Sequence, residues 1–337
     1  MRIAQISTVG TPVRSEGSDS IESIVWLLTR ELAKLGHEVT VFATAGSEVD
    51  GKIVATLPGP YGQNGSPDDW QLCEFINLCT AINKSNNFDV IHSHAYLWGI
   101  PLENLSRSPM VHTTHVIPDN NTFYLWANSP QSCVTAISKH QWSNFPNLQP
   151  ASVIYHGIET AQFSLQENSK DYLCYLGRFI SGKGPLLAIH VAKTLGIKLL
   201  LAGPYNKYYK EFIEPLVDGK TVEYVGRVSG SNRDQLLGEA KALLYPIRYP
   251  EPFGLVMVEA MMCGTPVAAI NFGAVPEIID NNITGCFTES EAEFPEIVLR
   301  AMNLNRKLVH ERALERFSAK RMALEYLEVY KAITSGN

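Results

Sequence analysis

Charged residues are scarce in this 337-residue chain: Asp, Glu, Lys and Arg make up 18% of it, against about a quarter in an average domain. The 34 acidic and 28 basic residues give a net charge of −6, so no overall positive field attracts a nucleic-acid backbone or an anionic membrane. We therefore expect no nucleic-acid partner, and any bound anion must be held by a local group of side chains. With 45% hydrophobic residues, the composition also excludes a disordered chain.

The chain also lacks the motifs of zinc and redox sites and of membrane spans. Its six cysteines are scattered and none forms a Cys-x-x-Cys pair, which predicts reduced thiols and a cytoplasmic protein. The first residues have no apolar segment of the signal-peptide type. The most apolar later stretch, residues 255–270, is interrupted by Glu259, Gly264 and Pro266 and cannot span a bilayer as one helix. We expect at most peripheral contact with a membrane.

Strand-like runs alternate with helical periodicity along the whole chain. Residues 2–6 predict a strand, and apolar residues between Ile21 and Leu35 recur at three- and four-residue spacing. The same order restarts at residues 172–176, after a polar stretch. The pattern predicts two α/β units with parallel sheets and a boundary near residues 156–159. Ligands of such sheets bind beyond the carboxyl ends of the strands, so residues that follow strands are the first candidates for a site.

A glycine-rich loop with two cations follows the first predicted strand of the second unit. It runs from Gly177 to Gly184 and holds Arg178 and Lys183, just before a helix that starts near Pro185. Backbone N–H groups at a helix start, together with two cations, suit a phosphate group. The spacing is not that of a Walker loop, and an ordinary strand-to-helix turn with solvated cations is the alternative.

Two carboxylates lie around the predicted start of a later helix. Glu251 falls in a loop between prolines, Gly254 opens the helix, and Glu259 lies about one turn inside it. Carboxylates suit sugar hydroxyls because each oxygen accepts hydrogen bonds. The alternative is a surface residue followed by a helix-start charge that the helix dipole favours. The apolar neighbours of Glu259 argue against that alternative, since a carboxylate among them needs a partner.

Together these patterns resemble the retaining, nucleotide-sugar-dependent glycosyltransferases of family 4, which have the GT-B fold. The family's Glu-x7-Glu pattern matches Glu251 and Glu259, and its Gly-Arg…Lys-Gly loop matches Arg178 and Lys183. Segments of the N-terminal half match as well: residues 32–43, 89–94 and 113–115. The resemblance covers nearly the whole chain.

The resemblance implies an α/β, GT-B architecture of two Rossmann-like domains whose parallel sheets face a central cleft. Residues 1–156 would form the N-terminal, acceptor-side domain and residues 157–317 the C-terminal, nucleotide-sugar-binding domain. Residues 318–337 would form a helix that packs back on the N-terminal domain. The implied activity is transfer of a hexose from a UDP- or GDP-sugar to a hydroxyl acceptor, either a sugar, a lipid-linked molecule or a small molecule. Transfer would retain the anomeric configuration and use no metal or other cofactor, which agrees with the lack of an Asp-x-Asp motif.

The resemblance also implies a role for each matching residue. Arg178 and Lys183 would bind the donor's diphosphate and stabilise the charge that grows on it as the glycosidic bond breaks. Glu251 would hold hydroxyls of the transferred sugar, Glu259 would bind the ribose, and His115 would contact the sugar near its reacting carbon. Backbone groups would complete the donor site at Gly177, Gly226, Phe253, Gly254 and Leu255.

The first loop departs from the family pattern. Relatives have two glycines shortly before a Glu, whereas Asp19 and Ser20 stand at these positions here, after Gly17. Side chains there would narrow a site in which the backbone approaches the donor phosphate and the acceptor. A sugar-nucleotide-binding module without transfer, its acceptor side impaired by Asp19 and Ser20, therefore stays open as one alternative. A sugar-nucleotide epimerase or hydrolase on the same fold is another, because a fold does not dictate function.

Overall fold

The described residues form two compact units. The computed structural model describes residues 1–17, 20–145 and 147–335, so the predicted site residue Asp19 lies outside the described ranges. The first unit comprises residues 1–157 and the segment from residue 319 onward, and the second comprises residues 158–318. Each unit is built on a parallel sheet flanked by helices. The α/β class predicted from the alternating sequence pattern is thereby confirmed.

The first unit contains a sheet of seven strands in the described residues, in the order β3-β2-β1-β4-β5-β6-β7. The strands are β1 (Arg2–Ile6), β2 (Glu38–Thr44), β3 (Lys52–Leu57), β4 (Val90–Ser93), β5 (Met110–Thr113), β6 (Cys133–Ala136) and β7 (Ser152–Val153). Among the residues described here, three α-helices lie between these strands: α1 (Ser20–Lys34), α2 (Trp70–Ile82) and α3 (Asn120–Ala127). Buried apolar residues of the strands and of α2 form a core that includes Ile6, Phe42, Leu78 and Ile91.

The second unit contains six strands in the described ranges, in the order β10-β9-β8-β11-β12-β13. They are β8 (Tyr172–Leu176), β9 (Lys198–Ala202), β10 (Val222–Gly226), β11 (Leu243–Tyr245), β12 (Val267–Ile270) and β13 (Gly285–Thr288). The helices are α4 (Pro185–Leu195), α5 (Gly230–Gly238), α6 (Leu255–Met262), α7 (Val275–Ile278), α8 (Phe294–Ala301) and α9 (Arg306–Phe317). Within the described segments, no helix has both the length and the apolar character to cross a membrane.

The last helix, α10 (Ala319–Ser335), belongs to the first unit. It packs against α1, and its Tyr326 and Tyr330 are fully buried. The Tyr330 hydroxyl accepts a hydrogen bond from the Gln5 side chain of β1, while Arg321 donates to the carbonyl of Tyr155. The apolar face that the sequence shows on this helix is therefore covered by residues from the other end of the chain.

A buried carboxyl group, Glu74, lies on the second turn of α2. Its Oε1 accepts a hydrogen bond of 2.9 Å from the backbone N–H of Val9, and its Oε2 is buried with no hydrogen-bond partner among the described residues. The pKa of Glu74 is raised to about 8, mainly by burial; the hydrogen bond from Val9 opposes the rise and the nearby carboxylate of Glu22 adds to it. Glu74 is therefore mostly protonated at neutral pH.

We expect Glu74→Gln to stabilise the protein at pH 7. The folded state keeps the proton of Glu74 up to a pH of about 8, whereas the unfolded state loses it above about 4.5, so wild-type stability falls as the pH rises between these values. Gln has the same shape, accepts from Val9 and has no proton to lose. The expected gain is near zero at pH 4.5 and about 3 kcal/mol at pH 7.

Urea unfolding of both proteins at a series of pH values measures this gain. The same substitution at the exposed Glu328 of α10 is the control and should leave the pH profile unchanged. If the gain in the free energy of unfolding from Glu74→Gln did not vary between pH 4.5 and 8, the raised pKa of Glu74 would be contradicted.

Candidate active site

The glycine–cation turn at the end of β8 is fixed against the segment that follows β11. Gly184 has a φ of +66° and lies so close to the carbonyl of Pro246 that no side chain fits there. The backbone N–H of Arg248 donates to the carbonyl of Gly182 at 2.8 Å. Pro185 then begins α4. The glycines noted in the sequence therefore bring Lys183 next to the loop that contains Glu251.

Lys183 and Glu251 form an ion pair beyond the carboxyl ends of the strands of the second sheet. The Lys183 Nζ lies 2.5 Å from Glu251 Oε1, and these side chains are only 13% and 19% exposed. The Tyr245 hydroxyl donates to the other carboxylate oxygen. The ammonium group also lies 5.8 Å from the ring centre of Tyr245 and 5.5 Å from that of Tyr249, within range of a cation–π interaction. The carboxylate is thus held by an ammonium group and a hydroxyl, and the ammonium group by the carboxylate and two aromatic rings.

The start of α6 is built around Gly254. This residue has a φ of +89°, and a side chain there would meet the Tyr245 hydroxyl and the Met257 methyl group. Leu255 begins the helix and is half-buried, whereas Phe253 is buried and packs edge-to-face on Phe317, with ring centres 6.1 Å apart. Phe253 and Gly254 therefore fix the loop that carries Glu251.

Glu259 has a charged partner that the sequence pattern did not identify. Arg233 of α5 lies 3.1 Å from its Oε1, with its guanidinium 5.4 Å from the ring centre of Phe163. Burial raises the pKa of Glu259, and Arg233 opposes that rise. The carboxylate expected among apolar neighbours thus lies in an ion pair within the second unit.

The remaining residues predicted in the second unit lie at or directly after the ends of strands. Gly177 and Arg178 follow β8, where the Arg178 side chain is exposed and its carbonyl accepts from the Tyr175 hydroxyl at 3.0 Å. Gly226 ends β10 with a φ of +79°, and its carbonyl accepts from Gly203. The sequence analysis did not predict Tyr245 and Tyr249 as site residues. Tyr245 ends β11 and Tyr249 lies in the loop after it, so their positions relative to a strand could have indicated them.

The first loop, which departs from the family pattern, has two predicted residues within the described part of the first unit. Gly17 has a φ of +75°, and Ser20 is the exposed first residue of α1. Ser20 therefore belongs to the helix start and not to the loop before it.

His115 lies just beyond the carboxyl end of β5 and is 8% exposed. Its Nε2 lies 2.8 Å from His94 Nδ1, and its Nδ1 lies 3.4 Å from His156 Nε2, so the second contact is weak. The His94 Nε2 in turn lies 2.8 Å from Gln5 Oε1. His115 thus ends a chain of buried side chains that begins on β1.

The side-chain amide of Gln5 sets the direction of these hydrogen bonds. Its Oε1 only accepts, so His94 must carry its proton on Nε2 and accept at Nδ1 from His115 Nε2–H. On the other side, Gln5 Nε2 donates to Tyr330 at 3.2 Å, and Tyr330 donates to His92 Nδ1 at 2.7 Å. Every ring in this series is therefore a neutral Nε2–H tautomer.

Burial favours the same neutral state. It lowers the pKa of His92, His94 and His156 well below the ordinary value and lowers the pKa of His115 to about 3. His115 is consequently an uncharged hydrogen-bonding group at physiological pH. Gln5 and His156 were not predicted as part of this arrangement, although a glutamine inside an otherwise apolar strand is a visible signal.

We expect nitrogen NMR of the imidazole rings to show Nε2–H tautomers for His94 and His115 at pH 7. His115 should stay neutral down to about pH 4, because burial disfavours its charged form. Gln5→Met removes the amide that fixes the direction of these hydrogen bonds and should give His94 a mixture of tautomers. The exposed His190 provides the reference signal. A protonated His115 at pH 6 would contradict this arrangement.

No group of three or more His, Cys, Asp or Glu side chains in the described part of the chain is arranged to hold a metal ion.

Solved structures share this architecture over all or nearly all of the chain. AviGT4, a glycosyltransferase involved in avilamycin A biosynthesis, is 25% identical and superposes with a TM-score of 0.72, covering 100% of this chain and 98% of its own. HepE of Anabaena, solved in complex with UDP-glucose, is 18% identical with a TM-score of 0.71 and covers 98% of this chain and 100% of its own.

A curated relative gives a similar result. The D-inositol 3-phosphate glycosyltransferase of Mycolicibacterium smegmatis is 26% identical over 86% of this chain and 80% of its own length. The model for "Glycosyltransferase Family 4" matches residues 21–162, and the model for "Glycosyl transferases group 1" matches residues 158–314, beginning where the second unit begins. The fold, the family models and these relatives agree: the chain is a GT-B glycosyltransferase and belongs to glycosyltransferase family 4.

Proposed function

We propose that this glycosyltransferase moves a hexose from a UDP- or GDP-sugar to a hydroxyl acceptor in the cytoplasm, with retention of the anomeric configuration and without a metal ion. The observation that carries the proposal is the pairing of Lys183 with Glu251 at the carboxyl edge of the second sheet, next to the start of α4. A cation there suits a diphosphate, and a carboxylate suits sugar hydroxyls. HepE, which shares the fold, was solved with UDP-glucose.

In the proposed reaction the second unit stabilises the leaving group. The bond between the anomeric carbon and the diphosphate oxygen breaks, and Arg178 and Lys183 neutralise the charge that develops on the diphosphate. Glu251 holds hydroxyls of the sugar, and Glu259 binds the ribose. The acceptor oxygen forms the new bond on the same face, and its proton passes to the departing diphosphate. His115, neutral and hydrogen-bonded, orients the sugar near the reacting carbon.

Thermal shift with UDP, GDP, ADP and their hexose conjugates tests the donor assignment. A ligand that binds only the folded state raises the melting temperature, so one base should stabilise the protein selectively. Proton NMR of the product then gives its anomeric configuration, and assays with and without EDTA test the need for a metal. An inverted product, or activity that EDTA abolishes and Mg²⁺ restores, would overturn the corresponding part of the proposal. Donor hydrolysis without transfer would favour the hydrolase alternative.

We expect Glu251→Gln to separate nucleotide binding from transfer. In the wild type a diphosphate must compete with Glu251 for Lys183 and approach a carboxylate, so the variant should bind the nucleoside diphosphate about fivefold more tightly, equivalent to about 1 kcal/mol. Transfer should fall at least about 100-fold, because the sugar loses a charged hydrogen-bond acceptor in the transition state. Calorimetry and initial rates measure the two effects.

Glu291→Gln is the matched control for this experiment. Glu291 forms an ion pair with Arg248 in the same unit, but both side chains are well exposed. This variant should change neither the affinity nor the rate. If Glu251→Gln weakened nucleotide binding as well, competition between the carboxylate and the diphosphate would be ruled out.

A further inference from the structure

Three aromatic side chains of the first unit form a mutually contacting triangle that the proposed reaction does not use. The ring centres of Trp70 and Trp98 are 5.3 Å apart, those of Trp70 and Tyr96 5.8 Å, and those of Tyr96 and Trp98 5.6 Å. Trp98 packs on the apolar core beneath the sheet, whereas Trp70 is 41% exposed. We call these three residues the aromatic platform. One side of the platform is anchored in the core and the other faces solvent.

The backbone that presents the platform is in an unfavourable conformation. Tyr96 and Leu97 are consecutive non-glycine residues with positive φ angles, 51° and 68°. The buried Leu97 packs in a second apolar cluster with Trp126, which fixes the strained segment. Such conformations persist where the surroundings enforce them, and they are concentrated at ligand sites.

The platform lies beyond the carboxyl ends of the strands, where ligands of parallel sheets bind. Tyr96 and Trp98 follow β4, and Trp70 is the first residue of the helix that follows β3. His94, from the same segment as Tyr96, hydrogen-bonds His115 at the end of the neighbouring β5. The platform and His115 therefore share the carboxyl edge of this sheet.

The segments that carry the platform favour an uncharged ligand over an anionic one. Residues 53–83 and 85–106, which carry it, contain no Lys or Arg. They do contain Asp68 and Asp69 beside Trp70, and these carboxylates, after burial and Glu74, raise the pKa of the Cys73 thiol. A phosphate on the ligand would meet negative charge and find no cation in these segments, whereas hydroxyl groups would find hydrogen-bond acceptors.

We propose that the aromatic platform of Trp70, Tyr96 and Trp98 binds the acceptor and selects an uncharged pyranose, whose apolar C–H face stacks on the exposed indole of Trp70. An indole offers a large, rigid apolar surface for such a ring, and the carboxylates beside it accept from the equatorial hydroxyls. This inference rests on the proposed transferase function and adds the class of acceptor. It differs from what the name of the inositol-phosphate relative says of that relative.

The test has a binding measurement and a kinetic measurement. Methyl glycosides of glucose, galactose and mannose are titrated into the wild-type protein while tryptophan fluorescence is followed, with D-inositol 3-phosphate as the charged comparison. At least one neutral glycoside should give a saturable change in the wild type, and calorimetry should show that Trp70→Ala no longer binds that glycoside. In transfer assays with the donor found by thermal shift, Trp70→Ala should raise the acceptor KM about tenfold and leave donor affinity unchanged, whereas Trp70→Phe should recover most of the loss.

Tyr124→Ala is the control, because Tyr124 is an aromatic residue of the same unit that is 71% exposed and outside the platform. Preference of the wild type for D-inositol 3-phosphate, no saturable change with any glycoside, or equal acceptor KM for wild type and Trp70→Ala would each overturn the inference. Failure of the proposed function gives a different result, since no nucleotide or nucleotide-sugar would then shift the melting temperature of the wild type.

Discussion

Strands that pair in parallel cannot be joined by a tight turn, so in both units each strand is followed by a crossover before the next one begins. The carboxyl ends of all strands in a unit then lie along one edge. In the first unit His94 and Tyr96, which follow β4, lie at the same end of the sheet as His115, which follows β5. In the second unit the corresponding end of the sheet holds Lys183 and Glu251. The position of both groups follows from strand direction before any side-chain contact is considered.

In the proposed reaction, the ion pair of Lys183 and Glu251 has to satisfy two opposing demands. A buried cation and a buried carboxylate each need a partner, and in the described structure they supply it to one another. A diphosphate and a sugar would need the same two groups. Tyr245 and Tyr249 would reduce the cost of this proposed exchange, because a hydroxyl and two ring faces would remain with the charges when the partner changes.

The sequence predicts what depends on local pattern, and it fails where distant segments meet. Alternating periodicity identified the α/β class, and the glycine-rich turn pointed to Lys183. Arg233 as the partner of Glu259 was not predictable in this way, because α5 and α6 are brought together only by the packing of the sheet. The aromatic platform combines residues from two different crossovers. Considered alone, the position of Trp70 in the sequence is typical of a residue that packs a helix.

The side chains of several residues in the first unit share a single direction of hydrogen bonding. Donors point from His115 through His94 to Gln5, and from Gln5 through Tyr330 to His92. Such a series has two proton arrangements that leave every member satisfied, and one amide decides between them. A single substitution along it is therefore expected to disturb the hydrogen bonds of its neighbours, and a compensating set to restore them. In sequences descended from this one, positions 5, 92, 94, 115 and 330 should accordingly change together.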